Sequence, residues 1–484
     1  MAEQTRANGF SPPDPITQEM ARRDFLFRCG SGLGSVALSY LLRQDAALAA
    51  EASPSPLLSR TPHFDAKSKA CIFLFMGGGP GHMDTFDPKP TLTRFHGSVA
   101  HDSSGAAANG SHLLYIGSPF RFSRHGKSGI EVSEIFPHLA TCVDDMAIVR
   151  SLYTDSDNHT TGALLMNIGR PIPGSPSVGS WMVYGLGSEN QNLPAFVVFP
   201  EAKGASGIGP LNWSNGYLPG IFQGTLLNAS GPPIADLQPP PDVSLRRQKS
   251  VIRLMNEWNQ GHLQSSPIKG DLLARIRNYE LAFRMQTAVP EALDIQGEPR
   301  AIQELYGLND AITEPMARKC LMARRLVERG VRFVQIFSNG WDSHFDLTRE
   351  HRKRGAETDR PIAGLLKDLK QRGLLSQTLV VWGGEFGRTV ESGRGIVPET
   401  MGREHNKEAM VMWFAGGGIK GGTVVGATDE LGKRAVENRY HIHDLHATLL
   451  HLMGLDDSRL TYYHAGRFKR LTDLGGRLIQ EMMV

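Results

Sequence analysis

Three apolar runs in this chain each lead directly into side chains that bind metals or transfer protons. In open α/β sheets, ligands bind beyond the carboxyl ends of the strands, so three such clusters predict one active site assembled from distant parts of the sequence. The runs cover residues 73–76, 333–337 and 379–382, and the side chains that follow them include His82, Asp84, Asp342, His344, Glu385 and Arg388.

Asp342 and His344 form the sharpest metal-binding pattern. Residues two apart in an extended chain point to the same side, so this carboxylate and this imidazole can face one ion together. A capped turn with a surface histidine is the alternative interpretation. The position of the pair after an apolar run, with two similar clusters elsewhere in the chain, favours a metal site.

The glycine pair Gly383-Gly384 lets the backbone turn tightly just before Glu385 and leaves room for a ligand there. Glu385 is therefore a candidate metal ligand or general base. Arg388 carries a planar, permanently charged guanidinium that suits a phosphate or sulfate group. A helix N-terminus with an Arg–Glu ion pair is the alternative, and the sequence leaves both interpretations open.

Two further positions offer metal ligands. In the first cluster the candidate is Asp84 or, with less support, His82. His405 lies in a loop before the apolar run 410–414, where packing does not require a histidine, and it is a candidate to complete the metal site. A solvated loop histidine is the alternative interpretation of His405.

Thr160 and Thr161 open a predicted helix that extends to residue 168. A threonine at this position often caps the helix. Its hydroxyl can also act as a nucleophile, because backbone N–H groups and the helix dipole hold the group that it attacks. His159 and a predicted metal centre are nearby, and the sequence does not decide between the two roles.

Strands and helices alternate along the chain, which predicts an α/β fold with a largely parallel, doubly wound sheet and helices on both faces. The glycine-rich stretch 414–422 predicts a hairpin turn, because it lacks the Lys-Ser/Thr of a phosphate-binding loop. His441, His443 and His446 are interpreted as capping and packing residues of the last helix. The predicted strands are 71–76, 146–151, 195–199, 331–337, 378–382 and 410–414, and the predicted helices are 131–143, 243–285, 315–329, 357–372 and 443–453.

The N-terminus carries a predicted export signal. A twin-arginine pattern begins at Arg22-Arg23, a mild apolar stretch follows, and small residues at 47–49 offer a cleavage position. An amphipathic N-terminal helix is the alternative, and the apolar stretch is too short and broken for a stable membrane span. We expect a signal over 1–49, a linker over 50–69 and one domain over 70–480, with an insertion or cap at 201–300.

Composition excludes some classes of function. The chain has 484 residues, and its 52 basic and 49 acidic residues leave a net charge of +3, which is too weak to indicate nucleic-acid binding. Three widely spaced cysteines remain after the predicted signal, so no disulfide framework is indicated. Cys71, Cys142 and Cys320 each fall in an apolar pattern and are expected to be buried.

Several long motifs occur in a fixed order over roughly residues 65–480: GGGPGHMDTFDPKP, NHTTGALLMNIGR, GWDSHFD, VVWGGEFGRT, GREHNKEAMVMWFAGGGIKGG, TDELG and HDLHATLLHLMGLD. With these motifs the chain resembles domain-of-unknown-function family 1501, which consists largely of exported bacterial proteins. This family is placed in the alkaline phosphatase-like superfamily, together with phosphatases and sulfatases.

The resemblance implies an alkaline phosphatase-like fold in which two divalent ions flank a hydroxyl or thiol nucleophile. It implies that Asp342, His344 and His405 bind one ion, that Glu385 binds the second, and that Asp84 adds a ligand from the first strand. Thr160 or Thr161 then stands where the nucleophile is expected. One departure is that Phe386 follows Glu385, where the superfamily usually places a histidine ligand.

The sequence hypothesis is thus a periplasmic, metal-dependent hydrolase of phosphate or sulfate esters, exported by the twin-arginine machinery. Its substrate is expected to be a small-molecule or glycan ester, held by Arg388. Zn²⁺ or Mn²⁺ suits the mixed nitrogen and oxygen ligands best, with Mg²⁺ or Ca²⁺ as alternatives. The alternative function is a non-catalytic periplasmic protein that binds an anionic ligand, a glycan or a partner.

Overall fold

The apolar runs form a nine-stranded central sheet. Strand β1 lies near its middle, and all eight residues of this strand are buried. Because alternate residues face opposite sides of a sheet, burial of the whole strand means that both faces are covered. The strands are β1 (Ala70–Gly77), β2 (Met146–Tyr153), β3 (Phe196–Phe199), β4 (Thr225–Leu226), β5 (Phe333–Asn339), β6 (Thr378–Gly383), β7 (Met410–Gly416), β8 (Thr423–Val425) and β9 (Tyr440–His441).

The strand order is β8-β2-β7-β6-β1-β5-β3-β4, and β9 also pairs with β2. β7 runs antiparallel to its neighbours β2 and β6, and the other pairs of this sheet are parallel. The predicted α/β fold with a largely parallel, doubly wound sheet is therefore confirmed. This order also brings the carboxyl ends of β1, β2, β5 and β6 to one edge of the sheet, where β7 begins.

The computed structural model describes residues 55–100, 112–201, 209–235, 237–239, 242–265, 269–473 and 475–484. Residues 57–484 form one compact unit, and the predicted signal over 1–49 lies outside the described residues. No helix of the described ranges has both the length and the apolar character needed to cross a bilayer.

Ten α-helices are described. α8 and α9 pack against each other, and α8 also packs on β5. The helices are α1 (His82–Thr85), α2 (Pro90–Arg94), α3 (His159–Ile168), α4 (Val178–Leu186), α5 (Leu245–Ser265), α6 (Lys269–Ala292), α7 (Arg300–Tyr306), α8 (Glu314–Glu328), α9 (Leu347–Gln371) and α10 (Ile442–Leu452).

The described secondary structure also includes short 3₁₀ turns and two-stranded pairs. The 3₁₀ turns are Leu139–Asp145, Gly209–Trp213, Gly220–Phe222, Leu375–Gln377 and Gln480–Met482. The two-stranded pairs are Leu114–Tyr115 with Glu391–Ser392, Phe122–His125 with Ile130–Ser133, Gly387–Arg388 with His405–Asn406, Ala427–Thr428 with Ala435–Glu437, and Tyr462–His464 with Arg467–Lys469.

Two local predictions are wrong. The predicted helix 131–143 is instead a strand, Ile130–Ser133, followed by a 3₁₀ turn, because Ile130 and Val132 alternate as strand residues do and Pro137 interrupts a helix. The glycine-rich stretch after β7 is not a hairpin turn. β7 and β8 lie on opposite sides of β2, so the stretch crosses the end of that strand.

The predicted helix 243–285 forms as two helices, α5 and α6. Within the stretch predicted as an insertion or cap, β4 pairs with β3 at the edge of the central sheet. The stretch therefore contributes to the sheet as well as carrying the two helices. The three cysteines that follow the predicted signal are free and buried, as predicted.

Candidate metal centre

Four side chains meet at the carboxyl edge of the sheet: His159, Asp342, His344 and His405. One ligand atom of each lies within 4.8 Å of the others. β2 leads into α3, which His159 opens, and β5 leads into the segment with Asp342 and His344. The chain reaches His405 shortly before β7 begins. Three separate parts of the sequence thus supply one cluster.

The Asp342 carboxylate is the centre of this cluster. Its Oδ2 atom lies 3.1 Å from Nε2 of His159. Its Oδ1 atom lies 2.9 Å from Nε2 of His344 and 3.2 Å from Nε2 of His405. The three imidazoles therefore present the same nitrogen, Nε2, to one carboxylate.

The other nitrogen of each imidazole is engaged outside the cluster. Nδ1 of His159 lies 2.7 Å from Oε1 of Glu385, and Nδ1 of His405 lies 2.6 Å from the carbonyl oxygen of Asp157. Nδ1 of His344 lies 2.7 Å from Oε2 of Glu404. A proton on Nδ1 directed to an outer acceptor leaves the Nε2 lone pair free, which is the arrangement of metal-binding histidines.

A divalent cation fits this donor set. Nε2 of His159 is buried and faces Oδ2 of Asp342 at 3.1 Å. The Nε2 atoms of His344 and His405 lie only 3.0 Å apart, and both also face Oδ1 of Asp342. A shared cation would satisfy all three nitrogens, and three imidazoles with one carboxylate are ligands that suit zinc or manganese.

Charge controls the acid–base state of the cluster. Burial raises the pKa of the Asp342 carboxyl, but hydrogen bonds from the three histidines and the charge of Arg388 outweigh it and hold that pKa far below its usual range. Burial lowers the pKa of His159, whereas its bonds to Asp342 and Glu385 raise it to about 9. Without a cation, His159 therefore carries a proton at neutral pH.

Arg388 lies beneath Asp342 and is buried. Its Nη2 atom lies 2.5 Å from Oδ1 of Asp342, Nε donates to the carbonyl of Gly79 at 2.9 Å, and Nη1 donates to the carbonyl of Arg403 at 3.0 Å. Nη2 also donates to the carbonyl of Gly78. This geometry favours a positioning role for Arg388, and its contact with a substrate anion stays a prediction.

Glu385 is fully buried and lies behind His159. Its carboxylate accepts the backbone N–H of Gly78 at 2.9 and 3.2 Å, and its Oε1 atom faces Nδ1 of His159. The structure thus places this predicted ligand one step outside the four-residue cluster. A carboxylate on the far nitrogen of a metal-binding histidine orients the ring and raises its basicity.

Asp84 is the predicted ligand that lies apart from the cluster. It is fully buried, and its two oxygens lie 2.7 and 3.1 Å from Nε and Nη2 of Arg403. Burial raises the pKa of Asp84, but the charge and hydrogen bonds of Arg403 lower it overall. This ion pair supports Arg403, whose carbonyl holds Arg388. His82 is also buried and bonds the carbonyl of Gly432 at 2.8 Å.

Thr160 and Thr161 lie in the first turn of α3, directly after the ligand candidate His159. The side chain of Asn158 caps this helix by accepting the N–H of Thr161 at 3.2 Å, so the threonine hydroxyls are not the cap. Thr160 is exposed and Thr161 is half-buried. The structure thus leaves both hydroxyls free of the capping role that was the alternative to catalysis.

Phe386 forms an apolar wall of the cluster. Its ring centroid lies 5.0 Å from that of His159 and 4.6 Å from that of His405. The side chain is only 1% exposed. It occupies the position where the sequence resemblance anticipates a second histidine, and it fills that side of the site with carbon.

His159 is the cluster residue that the sequence reasoning did not single out as a ligand. It follows strand β2 by a few residues, as the other candidates follow their strands, and this position was the signal available. The outer carboxylate Glu404 was also missed. Glu404 lies 60 residues after His344 in the sequence, so no local pattern indicates their contact.

A family model described as "Protein of unknown function (DUF1501)" matches residues 68–483. A search with the sequence matches none of the curated proteins. Similar solved structures include the PsFucS1 sulfatase from Pseudoalteromonas sp., at 13% identity and a TM-score of 0.34, covering 92% of this chain and 73% of that chain.

Two further similar structures are enzymes of other names. Alkaline phosphatase from the Antarctic bacterium TAB5 is 11% identical with a TM-score of 0.33, over 77% of this chain and 97% of that chain. The phosphonate monoester hydrolase SpPMH from Silicibacter pomeroyi is 11% identical with a TM-score of 0.35, over 85% of this chain and 76% of that chain. At such identity, no site residue is transferred from them.

Proposed function

This chain belongs to DUF1501, a family of proteins of unknown function, and we propose that it is a metal-dependent hydrolase of phosphate or sulfate esters. The main observation behind the proposal is that three Nε2 atoms point to one carboxylate. Those of His159, His344 and His405 converge on Asp342, while their Nδ1 atoms face acceptors outside the cluster. A histidine that merely packs in a core has no reason to share one carboxylate with two other imidazoles.

The donor set also supports a choice of metal. Three imidazoles and one carboxylate favour Zn²⁺ or Mn²⁺ over Mg²⁺ and Ca²⁺, which prefer all-oxygen ligands. A bound cation of this kind would polarise the ester and stabilise charge on its oxygens. The half-exposed Asp342, with a side chain 39% exposed, lies on the open side of the cluster, where a substrate can approach.

Side chains of the protein would supply the nucleophile and would position the metal ligands. We assign the attacking hydroxyl to Thr160 or Thr161, because both lie at the N-terminus of α3 beside His159, where backbone N–H groups favour an anion. Arg388 fixes the Asp342 carboxylate from beneath. Glu385 fixes the ring of His159. Both act through another residue and are positioning residues.

The proposal includes export. Residues 1–49 carry the twin-arginine pattern, and a folded, metal-loaded enzyme is the kind of cargo that this route carries. We therefore place the activity in the periplasm. Replacing Arg22 and Arg23 together by Lys is expected to leave the protein in the cytoplasm, as cell fractionation would reveal. Unchanged periplasmic recovery would contradict this part of the proposal.

The experiment that tests the proposal joins metal analysis with turnover. Purified protein is expected to hold about one divalent ion per chain and to hydrolyse aryl phosphates or aryl sulfates. Asp342→Ala and His405→Ala should lose both properties. His125→Ala is a matched control, because the His125 ring is also half-buried but bonds Ser123 and lies outside the cluster. Metal without turnover on either ester class favours the non-catalytic alternative, and protein without metal contradicts the site itself.

A further inference from the structure

The segment that carries His344 also holds an exposed aromatic ring. Phe345 follows the ligand candidate directly, and 53% of its surface is exposed. We propose that Phe345 is a platform on which a flat ring of the ester stacks, either an aryl ring or a pyranose. This inference rests on the proposed function, because it names the class of substrate that the same site accepts.

Two backbone hydrogen bonds fix the segment that exposes Phe345. On one side of it, the carbonyl of Ser343 accepts the N–H of Arg403 at 3.0 Å, and on the other side the N–H of Leu347 donates to the carbonyl of Met401 at 3.0 Å. These two bonds hold the segment at both ends. The ring therefore stands outside the core on a fixed support and is not the end of a loose loop.

Two tight backbone features hold the same segment. Gly402 packs so closely against it that an added Cβ would collide with the carbonyl of His344. Asp346, the residue after Phe345, has a φ of 48°, which residues other than glycine rarely adopt. Backbone strain of this kind persists where the surrounding structure enforces it, and it concentrates at functional sites.

One face of the Phe345 ring is already covered by a cation. The Arg394 guanidinium carbon lies 4.0 Å from the ring centroid. Nε of Arg394 lies 3.3 Å from Glu404, and the other oxygen of Glu404 lies 2.7 Å from Nδ1 of His344. A continuous chain of contacts thus links the ring to a ligand of the candidate centre, and about half of the Phe345 surface stays exposed.

Exposed apolar side chains are common on protein surfaces, so exposure alone would not indicate binding. Here a second exposed apolar residue is linked to the segment through Met401: Val397 is 57% exposed, its carbonyl accepts the N–H of Met401 at 2.7 Å, and the carbonyl of Met401 accepts the N–H of Leu347. Phe345 and Val397 together with the cation of Arg394 suit a ring that carries an anionic group. A ring with flat C–H or π faces gains most from such a surface.

Binding measurements test this inference without depending on turnover. The protein is the full chain loaded with Zn²⁺ or Mn²⁺ and carrying Thr160→Ala and Thr161→Ala, and the probes are phenyl phosphate, glucose 6-phosphate and methyl phosphate. Phe345→Ala in this background should weaken one or both ring-bearing esters roughly five- to tenfold, with methyl phosphate unchanged. Phe345→Trp should retain ring binding, and Phe468→Ala, at an exposed ring of another hairpin, is the matched control.

The three probes distinguish the possible results. A loss confined to phenyl phosphate assigns an aryl ring, and a loss confined to glucose 6-phosphate assigns a pyranose. Equal weakening of methyl phosphate, unchanged ring binding in Phe345→Ala, or no binding of any ring ester would overturn the platform. Ring binding that depends on Phe345, together with no ester hydrolysis by the protein that retains Thr160 and Thr161, would contradict the proposed function and leave this inference standing.

Discussion

Two regions of this protein each contain three histidines, and the rings of the two groups make different contacts. In the candidate centre, the Nε2 atoms of His159, His344 and His405 converge on one carboxylate. At the start of α10, Nε2 of His441 faces Asp155 at 3.0 Å, while those of His443 and His446 bond the carbonyls of Gly169 and Met166 at 3.0 and 2.8 Å. That second set shares no common point.

The number of histidines is therefore a weak sign of a metal site, whereas a common direction of their Nε2 atoms is a strong one. His441 also caps α10, since its ring accepts the N–H of His443 and Asp444 completes a capping box. The interpretation of this group as capping and packing residues is confirmed. Of these two regions, only the first has three Nε2 atoms that face one another across a single carboxylate.

The largest expected effect comes from removing a ligand. His344→Ala should lower metal affinity by more than about 100-fold, because losing a ligand costs more than losing the outer partner of one. His446→Ala is the counterpart in the second region. It should leave metal affinity unchanged but lower the free energy of unfolding by about 2–4 kcal/mol, because His446 is fully buried.

Chelator competition measures the affinity of both variants, and urea unfolding measures their stability. Similar metal loss in the two proteins would mean that the direction of Nε2 does not distinguish the regions.

The next effect concerns the outer carboxylate. Glu385→Gln preserves the size of the side chain and an acceptor for Gly78, but it removes the charge that faces Nδ1 of His159. Metal affinity is expected to fall by about 10- to 100-fold, and the shape of the site should be retained. Titration against a fluorescent chelator checks this. An affinity equal to the wild type would show that Glu385 does not act on the metal through His159.

The pH dependence of the metal-free protein gives a third comparison. The folded-state pKa of His159 is raised to about 9 from an ordinary 6.5, so its stabilising contribution is complete below pH 6.5 and is lost as pH rises to 9. We expect chelator-treated protein to lose about 2 kcal/mol of unfolding free energy across this window, discounted for partial exposure. His446, whose pKa burial lowers to about 3, adds no change there.

Unfolding by urea at several pH values measures this slope. The metal-loaded protein should lack it, because a coordinated His159 carries no proton on Nε2. Equal slopes in the two forms would contradict the assignment.

The smallest effect is expected at Asp155, whose carboxylate faces His441 as Glu385 faces His159. Asp155 is 64% exposed, and an exposed ion pair is worth little. Asp155→Asn should change stability by less than about 1 kcal/mol and should leave metal affinity at the wild-type value. A marked loss of metal in this variant would mean that the second region supports the centre.

The sequence predicted the architecture well because the central strands contain long apolar runs. β1 has no polar side chain, and β6 has one only at its first residue, so neither shows the alternation of a one-sided strand. The predicted boundaries of one helix were wrong. α9 begins at Leu347, ten residues before the predicted start at 357, and it continues through Pro361, a residue that usually ends a helix.

The site was predictable only where a ligand belongs to a local pattern. Asp342 and His344 are two residues apart, and both lie in the cluster. Asp84 has the same position after a strand, yet its carboxylate faces Arg403, a partner 319 residues away that no spacing indicates. His159 shows the converse, because a lone histidine at a helix start gains its meaning only when the sheet order brings β2 beside β7.

A crystal structure of the metal-loaded protein, with anomalous diffraction at the metal edge, would locate the ion. We expect one peak about 2.0–2.2 Å from Nε2 of each of the three histidines and from one oxygen of Asp342, with Glu385 still on Nδ1 of His159. A peak bound through Nδ1 or through Glu385, or an empty cluster in protein that contains metal elsewhere, would contradict it.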